Sequence, residues 1–166
     1  MKVLLKNMAK ALSTFNAFDL ATSAELRKIA EAIDPLRWKT RHGLSPGRGI
    51  DNATCRYNFC GHAQMDDTTK NMLKKLAPVF DDCKLAEIAI NKYQVGDYLG
   101  KHKDRHYYRK NIVIALQASG DGLYIDDTGE FIEDKLGQGV IFEGIGPAHS
   151  VPPVKNERYV LIYLYE

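Results

Sequence analysis

The chain has 166 residues, of which 45% are hydrophobic and 27% are charged. This length and composition are typical of one globular domain and exclude a disordered or fibrous chain. The formal net charge of +2 gives no electrostatic argument for nucleic-acid binding. No apolar run approaches the roughly 20 residues that a membrane helix requires. We therefore expect a single domain over residues 1–166 that does not associate with a membrane.

The cysteines indicate a reducing compartment. Cys55, Cys60 and Cys83 make an odd number and form no C-x-x-C pair, which argues against both a disulfide framework and a structural zinc site. Near the start of the chain, Lys6 and Lys10 interrupt the apolar run before a signal-peptide core could form. We therefore expect a cytoplasmic protein.

In chain order, residues 1–84 are predicted to be helical and loop material. Thr22 with Glu25 fits a capping box, and the following apolar residues predict a helix that ends at Asp34-Pro35. The residues that recur at helical spacing are Leu26, Ile29, Ala30 and Ile33.

A second helix is predicted to begin near Asp66-Asp67 and to extend through Leu76 toward Val79-Phe80. The glycine-rich segment between the two helices, Arg41 to His62, is predicted to be a loop or a hairpin.

From Leu85 onward the pattern changes to short β-type runs separated by turns. Eight strands are predicted, at Ile88–Tyr93, around His102, at Asn111–Gln117, Gly122–Asp126, Glu130–Glu133 and Gly139–Phe142, around His149–Val154, and at Arg158–Tyr165. Such spacing is typical of a sandwich or barrel. Because Val113–Leu116 and Tyr159–Leu164 are almost continuously apolar, we expect those strands to be buried on both faces. The predicted class is mainly β with N-terminal helices (α+β), in which residues 1–84 support a core of residues 85–166.

The pair His102 and Asp104 is the first candidate metal site. Side chains two residues apart on a strand project from the same face, and His149 would complete the set if folding brings it alongside. Two histidines and one carboxylate occupy three positions on one side of Fe(II) and leave the others open for a co-substrate and oxygen. Taken singly, either histidine would more often be a surface or packing residue than a ligand. His106 is the next residue in the alternation of His102 and Asp104. It is either an alternative ligand or, more readily, a residue behind the ligands or in solvent.

The order of several motifs extends this interpretation. The elements, in order, are Asn91–Gly96, His102–Asp104, the strand Asn111–Gln117, the glycine turn at Gly120–Ile125, the turn and strand at Gly137–Phe142, and Pro147–Val154 leading to Arg158-Tyr159. With these elements in this order, the stretch from about Ile90 to the end resembles the core of the Fe(II)- and 2-oxoglutarate-dependent oxygenases. The resemblance implies a double-stranded β-helix, or jelly roll. It also implies that His102, Asp104 and His149 bind iron at one mouth of the roll.

The resemblance also implies a co-substrate site. The distal carboxylate of 2-oxoglutarate needs a buried cationic partner, and Arg158 suits this role because a guanidinium stays ionised and grips a carboxylate through two hydrogen bonds. Arg158 shares strand parity with Val160, Ile162 and Leu164, so we expect it to point into the roll. Tyr93 matches a family tyrosine that contacts the co-substrate, and Asn91 is a weaker candidate for the same role. No catalytic side chain beyond the metal ligands is expected.

The implied activity is that of a 2-oxoglutarate-dependent oxygenase, which uses oxygen to hydroxylate a C–H bond and releases succinate and carbon dioxide. The short separation of His149 from Arg158 and the sequence His-Ser-Val-Pro-Pro-Val resemble the prolyl-4-hydroxylase-like branch. We therefore expect a protein or peptide substrate. Ile114 stands where that branch often has a tyrosine.

Two alternatives stay open. The pair Asn91-x-Tyr93 resembles the nucleic-acid hydroxylases and demethylases of the alkylation-repair type, although no arginine follows Arg158 as it does in that branch. A catalytically silent jelly roll that binds a metal or a partner is the other alternative. Three tyrosines lie near the predicted mouth, namely Tyr98, Tyr107 and Tyr108. They either line the substrate entrance or pack within the fold.

Overall fold

Eleven strands and two α-helices make up the described part of the chain. The computed structural model describes residues 12–45, 53–104 and 108–166, with backbone alone at 44 and 45. The strands are β1 (Leu12–Asn16), β2 (Lys39–Ser45), β3 (Ala53–Gly61), β4 (Leu85–Tyr93), β5 (Tyr98–His102), β6 (Lys110–Ala115), β7 (Gly122–Ile125), β8 (Glu130–Glu133), β9 (Gln138–Glu143), β10 (His149–Val151) and β11 (Arg158–Tyr165). The helices are α1 (Leu20–Glu31) and α2 (Asp67–Leu76), and Pro35–Arg37 form a short 3-10 turn.

Both helices begin at an aspartate. The Asp19 carboxylate accepts a hydrogen bond from the backbone N–H of Thr22 at 2.7 Å, and Asp66 does the same for the N–H of Thr69 at 2.8 Å. Such caps satisfy backbone donors that have no partner within the helix. The capping box predicted at Thr22 and Glu25 is therefore wrong, because the helix begins three residues earlier. Helix α2 ends at Leu76, so the predicted extension toward Val79 is wrong as well.

All eight strands predicted after Leu85 are present as β4 to β11, and two of them, Glu130–Glu133 and Arg158–Tyr165, have the predicted bounds. The description of residues 1–84 as helix and loop is wrong in part, because β1, β2 and β3 lie within it. Strands β2 and β3 form an antiparallel hairpin from Lys39↔Phe59 to Ser45↔Ala53. The predicted loop or hairpin after Arg41 is therefore a hairpin.

The strands form one curled antiparallel sheet. Their order is β1-β9-β6-β11-β4-β3-β5-β10-β7-β8, and β2 pairs with the other edge of β3. Strand β3 joins the two halves of the sheet, because Asn58–Gly61 pair with β4 while Cys55 and Arg56 pair with β5. The curl places β5, β10 and β7 opposite β6, β11 and β4, and buried side chains from both halves meet inside the roll. This is the predicted jelly-roll architecture.

Strand β11 separates two apolar layers. Leu161 and Tyr163 pack with Leu26 of α1 and Leu73 of α2 in one buried cluster, and the Tyr163 hydroxyl donates a hydrogen bond to the Leu73 carbonyl at 2.8 Å. Burial of each such leucine contributes about 1.5–3 kcal/mol. The alternate side chains of β11 face the inside of the roll, so the strand is buried on both faces, as predicted.

Within the described residues, neither helix has the length and apolar composition needed to span a membrane. Cys55, Cys60 and Cys83 are free thiols. The division of the chain into one domain stays a prediction.

Candidate metal centre

The three predicted ligands meet where β5 and β10 pair. His102, the last residue of β5, lies opposite His149, the first residue of β10, and Asp104 follows two residues after His102. The Oδ1 atom of Asp104 lies 3.6 Å from Nε2 of His102 and 3.8 Å from Nε2 of His149. Within the described ranges this is the one group of three or more histidine, cysteine or carboxylate side chains able to hold a metal, and its ligand atoms lie within 4.8 Å of one another.

Backbone carbonyls orient the two imidazole rings. Nδ1 of His102 lies 2.8 Å from the Gly100 carbonyl oxygen, and Nδ1 of His149 lies 3.0 Å from that of Pro147. Because a carbonyl oxygen can only accept, each Nδ1 carries the proton, which leaves a lone pair on each Nε2. The same arrangement fixes histidine ligands in metal sites generally.

The Asn111 side chain orients the carboxylate. Its Nδ2 donates a hydrogen bond to Oδ2 of Asp104 at 2.6 Å, so Oδ1 is the oxygen that faces the two imidazoles. Oδ1 of Asn111 is buried and has no hydrogen-bond partner among the described residues. Asn111 was not among the site residues predicted from the sequence, although an amide at the start of the apolar run Ile112–Leu116 is a signal for it.

The donor set fits a divalent cation. Two Nε2 lone pairs and a carboxylate oxygen face one another at distances too long for hydrogen bonds. Two imidazoles and one carboxylate on one side of an ion are typical of non-haem Fe(II) sites.

The local pKa values favour the metal-binding forms. Burial would raise the pKa of Asp104, but attraction to the protonated forms of the adjacent imidazoles and the hydrogen bond from the Asn111 amide outweigh it and hold that pKa below its usual range. Burial lowers the pKa of His149, and the nearby Asp104 charge only partly opposes this. A carboxylate and a neutral imidazole are the forms that coordinate metals.

A cavity of about 340 Å³ connects this centre to the interior of the roll. It is lined by all six predicted site residues, namely Asn91, Tyr93, His102, Asp104, His149 and Arg158. Tyr108 also lines the cavity and Tyr98 does not, whereas Tyr107 and His106 lie outside the described residues.

The parity predicted for β11 is confirmed, since Arg158, Val160, Ile162 and Leu164 all line the cavity. Ile114 belongs to the apolar cluster beneath the helices instead. Its neighbour Val113 lines the cavity. Ile114, which stands where the prolyl-4-hydroxylase-like branch often has a tyrosine, therefore lies on the face of the sheet that points away from the cavity.

Arg158 is buried, with 1% of its surface exposed, and its guanidinium lies 5.3 Å from the centre of the Tyr93 ring. It already has an acidic partner, which was not predicted from the sequence. Nε and Nη2 donate to Oδ2 and Oδ1 of Asp134 at 2.7 Å and 3.0 Å. No local sequence signal points to this pair, because 24 residues separate its members.

Two stacked tyrosines form another part of the wall. The rings of Tyr57 and Tyr93 lie 5.2 Å apart. Burial raises the pKa of Tyr57 to about 12, and burial likewise raises the pKa of Tyr93. Both hydroxyls therefore stay protonated and can donate hydrogen bonds at neutral pH. The guanidinium of Arg41 lies 4.5 Å from the centre of the Phe59 ring at the same cavity.

No family model matches the sequence, and no curated protein matches it either. Solved structures do match in fold. A Pseudomonas putida prolyl-4-hydroxylase is 17% identical, with 94% of this chain and 92% of that chain covered at a TM-score of 0.66. A 2OG-Fe(II) oxygenase family oxidoreductase from Burkholderia pseudomallei is 15% identical, with 94% and 85% covered at a TM-score of 0.62.

A third match is the non-haem α-ketoglutarate-dependent epimerase SnoN from nogalamycin biosynthesis. It is 12% identical, with 100% of this chain and 83% of that chain covered at a TM-score of 0.63. These structures differ in the reaction named for them, so the shared feature is the architecture. The chain therefore has the jelly-roll fold of the 2OG-Fe(II) oxygenases, which confirms the predicted fold class.

Proposed function

We propose that this protein is an Fe(II)- and 2-oxoglutarate-dependent dioxygenase that hydroxylates a C–H bond of a protein or peptide residue and releases succinate and carbon dioxide. One observation carries the proposal. A single cavity joins the buried triad of His102, Asp104 and His149 to the buried cation of Arg158.

The triad would hold the iron through Nε2 of His102, Nε2 of His149 and Oδ1 of Asp104. When bound, iron with 2-oxoglutarate and oxygen supplies an oxidant able to break a C–H bond. The protein contributes the placement of the ligands and a cavity that limits access of water. The Asn111 amide and the two backbone carbonyls fix the three ligand side chains before any metal arrives.

Arg158, Tyr93 and Asn91 would hold the co-substrate. The guanidinium can donate to the distal carboxylate of 2-oxoglutarate, and the protonated Tyr93 hydroxyl can add a further hydrogen bond. Asn91 lies beside Tyr93 on the same wall of the cavity, so it would contact the same end of the co-substrate. The neighbouring walls from Val160 and Ile162 are apolar and strengthen these interactions by excluding water.

The test of the cofactors is an anaerobic titration with Fe(II) and 2-oxoglutarate. We expect the weak visible charge-transfer band of a chelated keto acid in the wild-type protein and none in Asp104→Ala. A wild-type protein without the band, or an unchanged band in the variant, would contradict the proposal.

The peptide substrate is supported by two observations. The sequence His149–Val154 resembles the prolyl-4-hydroxylase-like branch, and a prolyl-4-hydroxylase is among the structures of the same fold. We expect proline-containing peptides incubated with protein, iron, 2-oxoglutarate and oxygen to gain one oxygen atom by mass spectrometry. Succinate release that depends on the added peptide would exclude a catalytically silent jelly roll.

Action on nucleic acid is the second candidate, because Asn91 and Tyr93 both line the cavity. In that case single-stranded or duplex DNA would bind with an affinity that falls steeply as salt rises. Methylated bases would lose a methyl group, and peptides would remain unchanged.

A further inference from the structure

The ion pair between Arg158 and Asp134 is the feature of the cavity that the proposed activity leaves unexplained. Both side chains are buried, with 1% and 5% of their surfaces exposed. The arginine proposed to receive the co-substrate carboxylate therefore already binds a carboxylate through two hydrogen bonds.

Asp134 is held firmly in this position. Nε2 of Gln117 donates to its Oδ2 at 2.8 Å, and its own backbone N–H donates to the Asp121 carbonyl at 2.8 Å. Gln117 is fixed in turn, because its Oε1 accepts from the backbone N–H of Tyr159 at 2.7 Å and from Nη1 of Arg27 at 2.9 Å. Asp134 therefore stays on Arg158 when a second anion enters the cavity.

The guanidinium lies between Asp134 and the cavity. Arg158 lines the cavity, whereas Asp134 is not among its lining residues. A guanidinium has five N–H donors, and the pair with Asp134 uses Nε and one hydrogen of Nη2. Among the described residues, the edge formed by Nη1 and Nη2 has no other hydrogen-bond partner, so its donors can bind a ligand.

The charge of Arg158 is consequently balanced before any ligand binds. A buried arginine without a counter-ion would strongly favour an anionic ligand tail, because charges interact strongly where water is excluded. With Asp134 in contact, a carboxylate tail gains hydrogen bonds to the free edge but also meets a second negative charge. A 2-oxo acid with a neutral tail makes no hydrogen bonds to the free edge of Arg158, but it is also not repelled by the charge of Asp134.

We propose that Asp134 is a resident counter-ion that sets the co-substrate specificity of this cavity by lowering its preference for a charged keto-acid tail. The cavity then accepts 2-oxo acids with neutral tails alongside 2-oxoglutarate. This inference rests on the proposed function, since it assumes that a 2-oxo acid binds between the triad and Arg158.

The experiment compares two ligands of equal chain length, 2-oxoglutarate and 2-oxopentanoate, by calorimetric titration of the Mn(II)-loaded protein. The dissociation constant of 2-oxopentanoate divided by that of 2-oxoglutarate measures the preference for a charged tail. In Asp134→Asn this ratio should rise by about tenfold or more, because the lost negative charge leaves Arg158 uncompensated. Asp97→Asn is the matched control, since it breaks the Asp97–Arg56 pair of 2.7 Å outside the cavity, and its ratio should equal that of the wild type.

An unchanged ratio in Asp134→Asn, or an equal loss of affinity for both keto acids, would overturn the inference and leave Asp134 a purely structural residue. Failure of the wild-type protein to bind either keto acid would instead refute the proposed function. If Asp134→Asn folds poorly, its refolding in glutarate without metal gives the same test. Glutarate should stabilise the variant more than it stabilises the wild type, and an equal effect on the two proteins would also overturn the inference.

Discussion

At the His102 end of the cavity three hydrogen-bond acceptors face one another, whereas at the Arg158 end a cation is already matched by a carboxylate. Oδ1 of Asp104 lies 3.6 Å and 3.8 Å from the two Nε2 atoms with no donor among them. Arg158 and Asp134 instead make two hydrogen bonds of 2.7 Å and 3.0 Å. His102 and Arg158 are both buried and line the same cavity.

The difference indicates which end depends on a ligand. The first end is electrostatically incomplete without a cation, so a divalent ion should stabilise the folded chain by mass action, by about 2.7 kcal/mol at a hundredfold excess over its dissociation constant. The second end is complete on its own and contributes to the fold of the apoprotein. Removing a residue from each end should therefore have opposite consequences for stability and for metal binding.

Arg158→Ala is expected to have the largest effect. It leaves the Asp134 carboxylate buried without its counter-ion, which should lower the free energy of unfolding by about 3–5 kcal/mol. Chemical unfolding of the metal-free protein measures this change. The double variant Arg158→Leu with Asp134→Leu should recover most of the loss, because it removes both charges, and failure to recover would show that packing rather than charge dominates.

Asp104→Ala should have the converse effect. Metal affinity should fall by more than about 100-fold, because a ligand is lost as well as its orienting contacts, while the free energy of unfolding of the metal-free protein changes by about 1 kcal/mol. Calorimetric titration with Mn(II) and chemical unfolding separate the two quantities. A large loss of stability without metal would contradict the contrast between the two ends.

Asn111→Ala tests how far the metal end extends beyond its ligands. The Asp104 carboxylate loses the donor that fixes Oδ2, so Mn(II) affinity should fall by about 10- to 100-fold with all three ligands present. Val113→Ala is the matched control, because Val113 lines the same cavity two residues later on the same strand. Equal affinities for the two variants would contradict an orienting role for Asn111.

The same contrast explains what the sequence could predict. The ligands at the metal end lie within short motifs, since His102 and Asp104 are two residues apart and His149 begins a short strand. Strand periodicity also placed Arg158 inside the roll, because the apolar alternation of β11 is regular. Patterns of this kind are local, and local patterns can be found in one sequence.

Features that depend on distant contacts escaped prediction. Asp134 approaches Arg158 across 24 residues, and nothing next to it in the chain identifies the pair. Strand β3 was predicted only as part of a loop or hairpin, because Arg56 and Asn58 alternate with the buried Cys55 and Tyr57 in a glycine-flanked segment that also suits a loop. Its place in the middle of the sheet depends on pairing with β4 and β5, which is a tertiary property.

The smallest expected effect is the pH dependence of the metal-free protein, and of the two ends of the cavity the metal end is the one that contributes to it. Burial holds the pKa of His149 below its ordinary value of 6.5, despite the Asp104 charge that partly opposes burial. As the pH falls through 6.5, the unfolded chain takes up a proton at this residue while the folded chain does not, so the free energy of unfolding decreases. The decrease is at most about 1.4 kcal/mol for each pH unit between the two pKa values.

Chemical unfolding at about pH 7.5 and pH 5.5 measures this loss across the titration range of histidine, and His149→Phe should reduce it because the titrating group is gone. Saturating Mn(II) should make the decline of the wild-type protein steeper, since protons and the metal compete for the same imidazole nitrogen. The pH dependence of Arg158→Lys should match that of the wild type over the same range, because no imidazole contributes to the ion pair with Asp134. An equal slope in His149→Phe and wild type would mean that the metal end, like the arginine end, is electrostatically satisfied in the folded chain without a cation.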